Sequence, residues 1–157
     1  MWHAMCGKCL PARLSIDDSD CNGTEEGEES MMHHRGADLL RIAVAEDDAD
    51  LRGAFVAMLE LLGHEVVCAA GDGAELLNAC SRLEVDLVMV DLDMPVIDGL
   101  QAAETFAEKG IPVVLISGHP DVKEIVLEHE PVVTRIVKPA TIESFRKAIG
   151  EALATRQ

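Results

Sequence analysis

A chain of 157 residues with 48% hydrophobic content is long enough to bury one core, and with aromatics at 3% that core must be built from Val, Leu, Ile, Ala and Met. A formal charge of −16 excludes a generic electrostatic grip on nucleic acid or anionic lipid, which needs clustered Lys and Arg, and favours a basic partner face or a metal ion. No apolar stretch approaches the roughly 20 residues needed to span a bilayer, and the start "MWHAMCGKCLPARLS" lacks the apolar core of a secretory signal, so neither direct DNA binding nor membrane insertion is expected and the chain reads as cytoplasmic.

In chain order, residues 1–37 come first. Their segment "SIDDSDCNGTEEGEES" is acidic and almost without large apolar residues, the composition of a disordered tail, whereas 38–157 carries the pattern of a folded domain. Met31 and Met32 stand just before that change and offer an alternative start. Five cysteines fall at positions 6, 9, 21, 68 and 80, an odd number unlike a secreted disulfide framework. Cys6 and Cys9 form a CxxC, but no second pair follows, so a zinc site with Cys21 and His3 is set aside. Cys68 and Cys80 sit inside apolar or helical patterns and read as packing residues, as do Met89 and Met94.

From Leu39 onward, short apolar runs alternate with helical patterns. The runs are "LLRIAVA" (39–45), "EVVCA" (65–69), "DLVMV" (86–90), "PVVLI" (112–116) and "VVTRIV" (132–137). Between the first two, Leu51, Phe55, Met58, Leu59 and Leu62 recur on one face of a helix. Further helical stretches are expected over 73–83, 99–109, 121–129 and 141–154, with Gly63, Gly71, Gly73 and Gly110 as stops and turns. Five strands alternating with five helices predict an α/β fold with a mostly parallel sheet covered on both faces.

In such sheets ligands bind beyond the carboxyl ends of the strands. The first strand is followed by Glu46, Asp47 and Asp48, the third by Asp91, the fourth by Ser117 and Gly118, and the fifth by Lys138. Clustered carboxylates repel one another unless compensated, and a hard divalent cation such as Mg²⁺ takes oxygen ligands of this kind while keeping waters for a phosphate-bearing substrate. With Lys138 as a point charge and Ser117 as a hydroxyl donor, the set suits phosphoryl transfer onto an Asp.

Taken together, the acidic pair in "VAEDD", the segment "VDLDMPVIDG", the Ser in "LISG" and the Lys in "VKP" occur in an order and spacing that resemble the receiver domain of two-component response regulators. The likeness runs from Leu39 to about Leu153. It implies a flavodoxin-like, doubly wound, five-stranded sheet of order 2-1-3-4-5, as in chemotaxis response regulators. By the same resemblance Asp91 is the phosphoacceptor, Asp47 a direct Mg²⁺ ligand, Glu46 a ligand through water, and Asp93 the residue whose backbone carbonyl binds the metal. Ser117 is then the switch hydroxyl, Lys138 the family lysine, and Arg52 sets the register that leaves Asp48 outside the acidic pair. Pro95 and Gly99 shape the loop, and Asp98 is expected as a helix N-cap. The implied partners are a sensor histidine kinase or a histidine phosphotransfer protein and a downstream target protein of unknown identity.

Two positions depart from the family. Arg135 stands where Tyr or Phe is common, and Ala140 where Phe often follows the Lys-Pro, so the usual ring switch cannot operate. Because the chain ends soon after the last helix, a stand-alone receiver is expected, which catalyses its own phosphorylation and dephosphorylation but is not a turnover enzyme. The alternatives are a receiver-like module that binds partners without phosphorylation, and an Asp-nucleophile phosphatase of the haloacid dehalogenase type. The latter places its motif after the first strand and needs a cap domain. His119 reads as an exposed loop residue, and His33, His34, His64 and His129 have no metal-ligand spacing. Asp93→Asn is expected to change the dephosphorylation rate more than metal affinity; equal rates in the two proteins would refute this.

Overall fold

A computed structural model describes residues 39–94, 99–121 and 133–154. The expected tail at 1–37, most of the helix expected over 121–129, Pro95 and Asp98 lie outside the described residues. The described elements are β1 (Arg41–Ala45), α1 (Ala49–Leu61), β2 (Glu65–Ala70), α2 (Gly73–Cys80), β3 (Leu87–Asp91), α3 (Gly99–Glu108), β4 (Val113–Ser117), β5 (Val133–Val137) and α4 (Ile142–Ala154). All five strands are parallel, in the order β2-β1-β3-β4-β5. This is the doubly wound, flavodoxin-like arrangement expected from the sequence.

Near-continuous apolar strands form because both faces of the sheet are covered. β3 and β4 are buried at every position. On one face Val88, Val90, Val113 and Leu115 pack with Leu76 of α2 and Ala102, Ala103 and Phe106 of α3. On the other, Ile42, Val44, Met89, Val114, Ile116 and Ile136 pack with Phe55 and Leu59 of α1 and Phe145, Ala148 and Ile149 of α4. Met89 and Met94 are both buried, as their spacing suggested. The predicted apolar face of α1 needs one correction. Phe55 and Leu59 are buried and Met58 and Leu62 half-buried, but Leu51, in the first turn of the helix, is 41% exposed.

Helix ends follow local chemistry. Asp48 caps α1, accepting hydrogen bonds from the backbone N–H groups of Asp50 (2.9 Å) and Leu51 (3.0 Å), and Asp72 caps α2 by accepting from Glu75 (2.8 Å). At the start of α4, Thr141 Oγ1 accepts from the Ser144 N–H (3.2 Å) while Ser144 Oγ accepts from the Thr141 N–H (2.8 Å). The two residues thus satisfy each other's free donors. Gly63 and Gly110 end α1 and α3 at φ 89° and 71°, values that side-chain-bearing residues rarely adopt. α2 stops at Cys80 rather than running to 83, because Arg82 and Leu83 donate to carbonyls three residues back and tighten the chain into a turn.

At the amino edge of the sheet, Arg41 pairs with both Asp86 and Glu84 and donates its backbone N–H to Asp86 Oδ2 (2.9 Å), closing the α2–β3 connection onto β1. No helix among the described residues is long and apolar enough to cross a membrane.

The second core layer hinges on one ring pair. Phe145, fully buried, meets Phe55 edge-to-face with ring centroids 5.2 Å apart. Phe145→Ala is expected to cost about 3–5 kcal/mol, read as a lowered urea midpoint. A loss below about 1 kcal/mol would mean that α4 is not anchored through this ring.

Candidate phosphoryl and metal site

β1 and β3 lie side by side, yet the chain leaves them toward opposite sides of the sheet, so a crevice opens beyond their carboxyl ends. Register fixes what meets there. Ala45 pairs with Val90, which places the next residues, Glu46 and Asp91, alongside each other. Ser117 pairs with Val137, and the Lys138 N–H donates to Ser117 O (2.8 Å), which brings the lysine to the same rim.

Each carboxylate is held by the backbone around it. Asp91 Oδ1 accepts from the Asp93 N–H (3.0 Å) and Asp91 Oδ2 from Lys138 Nζ (2.8 Å). Glu46 Oε1 accepts from the Asp48 N–H (3.2 Å), while Glu46 Oε2 lies 3.2 Å from Lys138 Nζ as a charge contact without a hydrogen-bond partner. The Glu46 N–H donates to Ala70 O (3.1 Å), and Arg52 Nη1 donates to Glu46 O (2.7 Å) and Asp47 O (3.4 Å). Arg52 therefore fixes the acidic loop, and the Asp48 side chain is occupied as a helix cap. A Cβ on Gly99 would collide with the Asp91 carbonyl oxygen, so only glycine lets α3 start this close to the end of β3.

Glu46 and Asp91 are each 1% exposed, whereas Asp47 is exposed, and one oxygen from each of the three lies within 4.8 Å of the others. Burial, then the neighbouring Asp91 charge, push the Glu46 pKa up to about 7. For Lys138 burial opposes the ammonium, but the Asp91 and Glu46 pairings outweigh it and raise its pKa. Three carboxylates facing one ammonium leave a deficit of positive groups. The oxygen-only donors, that deficit, and the buried Glu46 Oε2, which has no hydrogen-bond partner, fit a hard divalent cation.

The structure brings together Glu46, Asp47, Asp91 and Lys138, and it adds a link that the motif reading did not contain. Asp93 was expected to act through its backbone carbonyl. Its side chain accepts from the Gly118 N–H (2.9 Å) and from Ser117 Oγ (3.3 Å), tying the β3 loop to the β4 loop. Ser117 is 3% exposed and its oxygen also accepts from the His119 N–H (3.1 Å). The signal available in sequence was the strand order, since adjacent parallel strands bring the loops at their ends together. His119 is exposed, with Nε2 3.9 Å from Asp93 Oδ1. Arg135, on β5, is half-buried.

Residues 42–150 match the family model of the response regulator receiver domain. The chain is 33% identical over 117 residues to the transcriptional regulatory protein PdtaR of Mycobacterium tuberculosis, a match covering 73% of this chain and 57% of that protein. It is 33% identical over 116 residues to the protein-glutamate methylesterase/protein-glutamine glutaminase of Haloarcula marismortui, covering 73% of this chain and 30% of that one. The chain thus spans less than two thirds of either relative. A crystal structure of a response regulator receiver protein from Sinorhizobium medicae superposes with a TM-score of 0.67 at 27% identity, over 76% of this chain and 98% of that one.

The raised Glu46 pKa has a defined sign. The folded state holds this proton more tightly than the unfolded chain, so the stabilisation is fully present below about 4.5 and is lost as pH rises through about 7. In metal-free protein, Glu46→Gln is expected to flatten the decline in urea midpoint between about pH 5 and about pH 8. An unchanged decline in the variant would show that another group carries it.

Proposed function

The chain belongs to the response regulator receiver domain family, and from that premise we propose that it accepts a phosphoryl group on Asp91 in a Mg²⁺-dependent reaction. The observation that carries the reading is the position of the Asp91 carboxylate. It is buried at the end of β3, with one oxygen on the Asp93 N–H and the other on Lys138 Nζ, beside two further carboxylates.

A carboxylate oxygen of Asp91 attacks the phosphorus of a phosphohistidine on a sensor kinase or phosphotransfer protein; the bond to imidazole nitrogen breaks and an acyl phosphate forms. Asp47, Asp91, the Asp93 carbonyl and, through water, Glu46 would hold Mg²⁺, which would neutralise charge on the transferred group. Lys138 already touches the reacting carboxylate, so it pairs with a phosphoryl oxygen after a small shift. Ser117 Oγ must leave the Asp93 carboxylate to donate to another phosphoryl oxygen. Phosphorylation is thereby coupled to movement of the β4 loop, the element through which a downstream protein would read the state. With Arg135 in place of a ring, that movement is passed on by a charged, half-buried side chain of β5. The chemistry ends at the protein's own phosphorylation and dephosphorylation.

Intact mass after incubation with acetyl phosphate tests this directly. The wild type is expected to gain one phosphoryl group only when Mg²⁺ is present, and Asp91→Asn to gain none. A wild type that stays unmodified with both acetyl phosphate and a phosphohistidine donor would instead favour a module that binds partners without phosphorylation.

A further inference from the structure

Cys68 lies on β2, 4% exposed, in the apolar layer shared with α2 and α3. Cys80 is the last residue of α2 and packs half-buried against the same layer. Both side chains pack in this one layer although the whole of α2 separates them in sequence, and contact with Cys80 is the leading cause that raises the Cys68 pKa. The contact follows from the βα turn. After Gly71 and Asp72 the helix runs back along its own strand, and eight residues at about 1.5 Å each return Cys80 to the level of Cys68.

We propose that Cys68 and Cys80 are a dithiol that closes to an intramolecular disulfide, pinning the end of α2 to β2. The surroundings favour a disulfide over a metal. The neighbours in this layer, among them Leu76, Leu77 and Ala79, are apolar, and the acidic site is the only group of three clustered metal-ligating side chains among the described residues. Contact with Cys80 and burial raise the Cys68 pKa, so this thiol stays protonated and the more exposed Cys80 reacts first. The oxidant is a low-molecular-weight disulfide. Cys80 thiolate attacks one of its sulfurs, the S–S bond breaks, and a small thiolate leaves. Cys68 sulfur then attacks the Cys80 sulfur of the mixed disulfide, and its proton goes to the second departing thiolate. Two protein thiols are oxidised and one small disulfide is reduced to two thiols. The link would sit two residues from Ala70, whose carbonyl accepts the Glu46 N–H, and so on the strand that anchors the acidic loop.

The test is to incubate the full-length native chain with glutathione disulfide, block remaining thiols under denaturing conditions, and cleave after glutamate without reduction. Cleavage after Glu65, Glu75 and Glu84 puts the two cysteines on separate peptides, 66–75 and 76–84. The expected product is these peptides joined, lighter by two hydrogens than their sum, absent in Cys80→Ser and reversed by dithiothreitol. The oxidised wild type should melt about 5 °C higher than the reduced protein. Glutathione persisting on Cys80 while Cys68 is recovered blocked as a free thiol would overturn the proposal, as would oxidation confined to Cys6, Cys9 and Cys21.

Discussion

Two carboxylates buried against one ammonium dominate this structure. Glu46 and Asp91 are almost wholly removed from water, and Lys138 is the side-chain cation that touches both. An unpaired buried carboxylate would cost several kcal/mol, so the arrangement stands only because backbone N–H groups of Asp48 and Asp93 share the charge with the lysine. The balance is incomplete. One Glu46 oxygen has a charge contact with Lys138 but no hydrogen-bond partner, and the Glu46 proton is held up to about neutral pH, which leaves the site ready to be completed by positive charge from outside.

The sheet exists in this form to make that cluster possible. Parallel strands deliver their carboxyl ends to one edge, and the order β2-β1-β3-β4-β5 sets Glu46 beside Asp91 with Ser117 and Lys138 along the same rim. Fine positioning falls to the residues around it. Arg52 clamps the acidic loop through two backbone carbonyls, Gly99 lets α3 begin against Asp91, and Asp93 joins two loops that the chain itself leaves far apart. The Ser117 hydroxyl is engaged by the Asp93 carboxylate.

The two faces of the sheet are packed differently. The face under α1 and α4 carries the Phe55–Phe145 ring pair, whereas the face under α2 and α3 is filled by small and branched residues with Phe106 as its ring. On that second face β2 lies at the sheet edge, and a helix of only eight residues covers it. A covalent tie between Cys68 and Cys80 would act where noncovalent packing is shortest.

By itself the sequence determined the five strand segments, the four described helices, and the acidic and basic residues at the strand ends. These are local properties: an apolar run marks a strand buried on both faces, and "VDLDMPVIDG" and "VKP" carry their chemistry in consecutive residues. Tertiary structure decided the rest, because it depends on which segments become neighbours. Leu51 has the spacing of a core residue and remains exposed. The Asp93 side chain finds Ser117 and Gly118 only once β4 lies against β3, and Glu46 holds its proton because the fold buries it and then sets the Asp91 charge beside it. The contact between Cys68 and Cys80 likewise arises when α2 folds back on β2, since no local pattern records how far a helix travels before its last residue meets its own strand.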